Sequence, residues 1–354
     1  MSLLESTIKR IELQDRVWRQ KATERLDKLT MPHWALGRLL DMGQDLAGIT
    51  RSINPPVRRK AIVVMAADHG VAAEGVSKYP QEVTGQMVHN FVNGGAGINA
   101  LARLAGARVV VVDMGVAGDL SALVQAGKIV SKRMAAGTKN IVRGPAMSRD
   151  EAIRCIEAGI EIVRDLDPSI DLFGTGDMGI ANTTASSAVA AVITGCSVSE
   201  VTGHGTGIDD KQFAHKVSVI NKVLEINRPN SADGLDVLAK VGGFEIGGIV
   251  GLILGAAAER KPILVDGFIS SAGALIAKLL APPAVEYMFV AHNSVEQGHR
   301  CMHKFLGKEP LLDLNLRLGE GTGAALAMNL IEAAARILTE VATFDEAGVS
   351  KAEQ

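Results

Sequence analysis

Ala61-Ile62-Val63-Val64-Met65-Ala66-Ala67-Asp68-His69-Gly70 is the stretch whose reading decides the fold. An unbroken apolar run suits a strand buried on both faces, and such strands belong to parallel sheets covered by helices. The run stops at an acid, a histidine and a glycine. Polar groups at the carboxyl end of a parallel strand face the crevice where α/β proteins bind ligands. For His69 the competing expectation is satisfaction by local backbone.

The pattern recurs along the chain. Arg108-Val109-Val110-Val111-Val112-Asp113 ends in an acid with Gly115 close behind, and Pro262-Ile263-Leu264-Val265-Asp266-Gly267-Phe268 does the same. Asp171-Leu172-Phe173 runs into Gly174-Thr175-Gly176-Asp177-Met178-Gly179, and Tyr287-Met288-Phe289-Val290-Ala291 runs into His292. Leu316-Arg317-Leu318 alternates like a short strand before Gly319-Glu320-Gly321-Thr322-Gly323, with an alanine-rich helix expected from about Thr322 to Ala342 and a fraying charged tail after it. Six expected strands thus end in Asp68, Asp113, Thr175, Asp266, His292 and Glu320. Strand, glycine-rich turn and helix in repetition predict a doubly wound α/β fold with one ligand crevice lined by the strand ends.

Composition agrees. The 354 residues suffice for one large domain with an appendage or for two domains, and 38 glycines with 47% apolar but only 3% aromatic residues suit tight turns around an aliphatic core. Lys and Arg number 37 against 39 Asp and Glu, which argues against nucleic acid as a partner. Cys155, Cys196 and Cys301 are far apart in sequence and in no metal-like spacing, so a reducing, cytoplasmic setting is expected. The N-terminus lacks a signal pattern, and the most apolar stretch, Val241 to Ala258, carries Glu245 and six glycines and is too short to span a bilayer. Its Gly247, Gly251 and Gly255 share one helix face, suited to close packing against a neighbouring element or to a dimer contact.

Residues 1 to about 54 read as two or three amphipathic helices without a strand, and Arg58-Arg59-Lys60 as a solvated connection. Ser148-Arg149-Asp150-Glu151 is a capping box for a helix to about Leu166. A helix from about Gln81 places Val83, Met87 and Phe91 on one side with Gln86 beside them, a stripe expected in the core. The preceding loop sets Tyr79 and Pro80 where they can wall a flat-ring pocket.

Gly174-x-Gly176-x-x-Gly179 is by itself a weak dinucleotide signal, and the acid expected about twenty residues later is not convincingly there. Asn182, Thr183 and Thr184, expected at the start of an apolar helix from Ala185 to Thr194, favour a phosphate site over plain capping. Thr202-Gly203-His204-Gly205-Thr206-Gly207 is a second glycine turn, before a helix that carries Lys216 as a candidate phosphate cation. His292 and His299, seven apart across a strand-to-helix turn with Glu296 between them, lack the spacing of a zinc helix, so no metal is expected.

Taken together, Ala67-Asp68-His69-Gly70-Val71, Pro80-Gln81-Glu82-Val83-Thr84, the Gly174–Thr184 loop, Lys240-Val241-Gly242-Gly243-Phe244-Glu245, Asp266-Gly267-Phe268 and Leu316-Arg317-Leu318-Gly319-Glu320-Gly321-Thr322-Gly323 resemble the nicotinate-nucleotide–dimethylbenzimidazole phosphoribosyltransferases over nearly the whole chain. The resemblance implies a Rossmann-like, mostly parallel sheet flanked by helices in a large domain over 61–327, a small helical domain from 1–55 plus 328–354, and a homodimer. It implies transfer of ribose 5-phosphate from nicotinate mononucleotide to 5,6-dimethylbenzimidazole in cobalamin nucleotide-loop assembly, with no cofactor. Glu320 takes the place of the family's general base. Asp177 stands where the family usually has a second acid, Glu, a departure that shortens the side chain. On this reading Thr175, Gly176, Gly179, Asn182, Thr183, Gly205, Lys216, Asp266 and Ser294 bind the nucleotide and its phosphate, while Tyr79, Pro80, Gln86, Met87 and Leu318 shape the base pocket. The competing readings are an NAD-type oxidoreductase and a nucleotide-sensing regulatory protein on the same fold.

Overall fold

The computed structural model describes residues 1–203, 207 and 209–350. Strand β1 (Lys60–Ala67) is buried along its whole length and pairs in parallel with β2 (Ala107–Gly115) on one side and β4 (Leu172–Met178) on the other. With β3 (Val130–Ser131), β5 (Ile263–Val265) and β6 (Met288–Val290) these form one parallel sheet in the order β3-β2-β1-β4-β5-β6. The chain builds outward from β1 to β3, then returns to lay β4 against β1 and builds outward the other way. That reversal puts the switch point, and so the ligand crevice, above the carboxyl ends of β1 and β4.

The sheet has the expected class, but its sixth strand is Val130–Ser131 and not Leu316–Leu318, which is irregular. Alternation makes a strand only when one face is buried, and here Leu314 and Leu318 are 56% and 60% exposed while Asn315 turns left-handed at φ 56°. The Leu316 carbonyl instead accepts from the Val295 amide and the Ser294 hydroxyl.

Helices α1 (Leu3–Arg10), α2 (Arg16–Leu26) and α3 (Arg38–Thr50) precede the sheet, as the periodicity predicts. Helices α4 (Val83–Asn93) and α5 (Gly97–Ala105) link β1 to β2, and α6 (Ser121–Gln125) links β2 to β3. Helix α7 (Arg149–Leu166), opened by the Ser148/Glu151 capping box, carries the chain back across the sheet. Between β4 and β5 come α8 (Asn182–Thr194), α9 (Val198–Val201), α10 (Asp210–Asn227), α11 (Gly234–Val241) and α12 (Phe244–Ala258). Helix α13 (Phe268–Leu280) leads to β6, and α14 (His299–Leu306), α15 (Thr322–Glu340) and α16 (Phe344–Ala347) end the chain.

Several local expectations change. Helix α4 buries Thr84, Val88 and Phe91, leaving Val83 and Met87 half-buried and Gln86 exposed, so the Val83–Met87 stripe lies beside the core. Helix α8 begins three residues early, after a left-handed Ala181, which puts Asn182, Thr183 and Thr184 inside its first turn. Lys60 is no solvated residue: it is buried, donates to the Ala105 carbonyl at 3.0 Å and pairs with Glu332. The tail does not fray at Ala342, because Thr343 caps α16 and the Glu346 carboxylate accepts from Arg25 at 3.2 Å. Cys196 and Cys301, distant in sequence, come near each other in the fold, and burial first, then the neighbouring Cys196, pushes the Cys301 thiol up to about 11. Among the described residues no helix is long and apolar enough to cross a membrane.

The glycine stripe of α12 packs inside the molecule, against α7. A Cβ on Gly251 would lie 1.9 Å from the Ile156 carbonyl oxygen, and one on Gly159 would lie 2.1 Å from that of Gly248. The obstruction is backbone, which cannot swing aside as a side chain would. Gly251→Ala is expected to lower unfolding free energy by about 3 kcal/mol in urea denaturation. A midpoint equal to the parent's would contradict this account of the stripe.

Candidate active site

The strand-end acids divide by what they hold. Asp113 Oδ1 accepts from the Gly115 and Val116 amides at 3.0 and 2.8 Å, and Asp68 Oδ2 from the Ala117 amide at 2.7 Å, so both shape turns beside the crevice. Thr175 accepts from the Asp266 amide at 3.0 Å across β4 and β5. Asp266 is fully buried, and its carboxylate receives the amides of Gly321 at 3.2 Å and Ala324 at 2.9 Å at the start of α15. It therefore caps the helix that follows Glu320.

That turn is unusual backbone. Gly319, Glu320 and Gly321 are all left-handed, with φ of 80°, 63° and 92°, and a glutamate there needs support from its surroundings. The glycines of β4 provide room. A Cβ on Gly176 would stand 2.5 Å from the Glu320 carbonyl oxygen, one on Gly174 would strike Ile62 and crowd Met328, and one on Gly179 would stand 2.4 Å from the Ala67 carbonyl. The Gly-x-Gly-x-x-Gly spacing is thus accounted for by close packing within the protein.

Glu320 is itself 5% exposed. Its Oε2 accepts the Ile98 amide at the N-terminus of α5 at 3.1 Å, and its Oε1 has no hydrogen-bond partner among the described residues. Burial pushes its pKa up, the Ile98 amide opposes this, and the Asp266 charge adds to it. Asp177 lies against Gly319, with Oδ2 accepting from Asn182 Nδ2 at 3.0 Å and Oδ1 unpartnered. Burial, with the Asp266 charge adding to it, raises its pKa well above the usual carboxylate range.

Lys216 is 1% exposed, and its Nζ donates to the Thr183 hydroxyl at 2.8 Å. Desolvation pulls its pKa from 10.5 to about 8, with the Glu296 charge opposing. An ammonium buried beside a helix's first turn, with a hydroxyl as its hydrogen-bond partner among the described residues, suits an anion. Ser294 is shaped by His299: the Ser294 amide donates to His299 Nδ1 at 3.0 Å, so Nε2 carries the proton and donates to Ser271 Oγ at 2.8 Å. His299 is therefore neutral, and burial lowers its pKa further. Its ring lies 6.0 Å from His292 and 4.0 Å from His303 by centroid, and among the described residues no group of His, Cys, Asp and Glu is arranged to hold a metal.

Of the base-pocket residues, Leu318 lies against Gly97 beside Glu320, and Met87 lines the half-buried side of α4. Tyr79 and Pro80 are exposed, and no hydrogen bond among the described residues joins them or Gln86 to Glu320 or Asp177. Gly205 lies outside the described residues. Three contributors were not found from sequence. The Ile98 amide carries no residue signature. Thr84 accepts from the Ile180 amide at 3.1 Å, tying α4 to the Asp177 loop. His69 is satisfied by Glu245, at 2.6 Å and fully buried, rather than by local backbone; a glutamate inside the glycine-rich α12 was the available signal.

A parallel sheet of this order, with acids where its strands end beside the switch point, is a Rossmann-like α/β fold. A phosphoribosyltransferase family model matches residues 11–349. The nicotinate-nucleotide–dimethylbenzimidazole phosphoribosyltransferase of Syntrophotalea carbinolica is 64% identical over 351 residues, 99% of each chain, and that of Desulfotalea psychrophila 58% identical over 355 residues, all of each. The crystal structure of the Thermus thermophilus enzyme of that name superposes with a TM-score of 0.90 at 43% identity, covering 96% of this chain and 100% of that one. The chain belongs to the nicotinate-nucleotide–dimethylbenzimidazole phosphoribosyltransferase family, and the oxidoreductase reading falls with that finding.

The lysine site has a measurable signature. With a pKa of about 8 folded against 10.5 unfolded, Lys216 contributes stability above pH 10.5 that is lost as pH falls through 8. The unfolding free energy of the parent minus that of Lys216→Met should rise by about 3 kcal/mol between these limits. A difference flat across that window would mean that the ammonium is solvated.

Proposed function

We propose that this enzyme transfers the ribose 5-phosphate of nicotinate mononucleotide to 5,6-dimethylbenzimidazole, giving α-ribazole 5′-phosphate and nicotinate in cobalamin assembly. The observation that carries this reading is Glu320: a carboxylate on a buried turn, with one oxygen held by an amide and the other unpartnered. Nicotinate is bound to ribose as a pyridinium, so it departs with the bonding pair as a neutral ring and needs no protonation, and catalysis consists of stabilising a carbocation-like sugar and aligning the attacking ring nitrogen. The benzimidazole must shed its other ring proton as the new bond forms. Glu320 Oε1 accepts that proton, and a pKa raised by burial suits a group that must take one near neutral pH. Attack opposite the leaving group turns a β-nucleotide into an α-nucleotide.

Lys216, Thr183 and Asn182 at the first turn of α8, with the Gly205 turn and Ser294, hold the phosphate on this reading. Asp177, kept protonated by burial, offers Oδ1 as a donor toward the nucleotide. Leu318 and Met87 face the base, with Tyr79, Pro80 and Gln86 toward its outer edge. The site works in a cytoplasmic homodimer. On this reading residues 1–55 and 328–354 form a small helical unit; α2 and α3 meet α15 there in a separate cluster of Ala22, Leu26, Leu29, Leu40, Ala47 and Leu338, while α1 packs on α7 and α12 with Leu4 in the main core. A regulatory protein on the same fold would bind the nucleotide without exchanging its base.

The direct assay is nicotinate release from nicotinate mononucleotide. Release is expected only when a benzimidazole is added, with the α-nucleotide formed in equal amount. The acid limb of kcat/KM should lie above the ordinary glutamate value of 4.5, activity rising as Glu320 ionises. Nucleotide binding without base-dependent release would overturn the proposal.

A further inference from the structure

Helix α5 meets the site with its first two residues. Ile98 donates its amide to Glu320, and Gly97, one residue earlier, touches Leu318. Gly97 has an ordinary negative φ, so its backbone accepts any residue. What makes it glycine is contact: a Cβ there would lie 2.8 Å from Leu318 Cδ2 and 3.5 Å from Glu320 Oε2. The first distance is a clash and the second an ordinary contact. The turn before α5 does not yield, because Asn99 accepts the Ala96 amide at 3.1 Å and donates to the Phe91 carbonyl at 3.1 Å. Leu318 does yield, since the atom met is the far end of a side chain that is 60% exposed.

We propose that Gly97 is a specificity-determining residue: the missing side chain at the start of α5 receives Leu318 and sets how much of the pocket beside Glu320 is left for the ring substituents of the incoming base. The inference rests on the transferase reading above. The same helix start divides two tasks between neighbouring residues. Ile98 fixes the Oε2 end of the carboxylate and so directs Oε1 to the base, while Gly97 sets the wall against which the ring slides. A larger residue at 97 narrows the pocket by displacing Leu318 and leaves the Ile98 amide on Glu320.

Gly97→Ala tests this cleanly, because alanine is a better helix former than glycine at an exposed first-turn position and a loss of folding is not expected. Binding of 5,6-dimethylbenzimidazole and of unsubstituted benzimidazole is measured by calorimetry, and KM for each at saturating nicotinate mononucleotide. Affinity for the dimethyl base should fall roughly tenfold and that for the unsubstituted base less, with KM for the nucleotide and the acid limb of the pH profile unchanged. In a Leu318→Ala background the same substitution should have no effect on either base. Unchanged binding of both bases, an effect that persists without Leu318, or a nucleotide KM that rises in step with that of the base would each overturn the inference. So would a parent that binds neither base. A parent that binds the bases but releases no nicotinate would instead sink the transferase reading and leave the role of Gly97 standing.

Discussion

The bonds from the Gly321 and Ala324 amides to the buried Asp266 carboxylate are the constraint on which the site depends. They pin the start of α15, and through it a turn whose three successive residues are left-handed. A non-glycine residue in that region persists only when its surroundings over-determine it. Three constraints do so here: Asp266 just after β5, the Ile98 amide from α5, and the side-chain-free surface of β4 at Gly174 and Gly176. Sheet, helix start and active-site turn are therefore one packed unit.

The electrostatics follow from that packing. Asp177, Asp266 and Glu320 are all buried, so desolvation raises all three pKa values, and the Asp266 charge adds to the rise at Asp177 and Glu320. Each such group favours folding in its protonated form and loses that contribution as pH rises through its folded pKa. Such acids suit proton transfer better than a solvated carboxylate does. Around Lys216 the balance is reversed, because desolvation of the buried ammonium outweighs the Glu296 charge and lowers its pKa. On the proposed reading, a nucleotide joined to its leaving group as a pyridinium, and attacked by a base that must lose a proton, complements both.

The sequence reached the parallel sheet because continuous apolar runs such as Ala61–Ala67 report burial on two faces directly. It misplaced the sixth strand because Leu-x-Leu alternation says nothing about whether a face is covered, and at Leu314 and Leu318 none is. Glu320 and Lys216 could be singled out because a carboxylate between glycines and a lysine after a glycine turn are chemical statements, and the structure buries both. Gly97, Ile98 and the His69–Glu245 pair were not, since a backbone amide, an absent side chain and a contact across 176 positions leave no local pattern. The Gly-x-Gly-x-x-Gly run shows the converse: a recognisable spacing whose glycines make room for the protein's own backbone.

The account stands or falls on Glu320 as the proton acceptor. The decisive measurement is kcat for nicotinate release with saturating nucleotide and 5,6-dimethylbenzimidazole in Glu320→Gln, which keeps the side chain's size and removes its basicity. A loss on the order of a hundredfold or more, with nucleotide binding retained, is the predicted result. Turnover within a few-fold of the parent would contradict it.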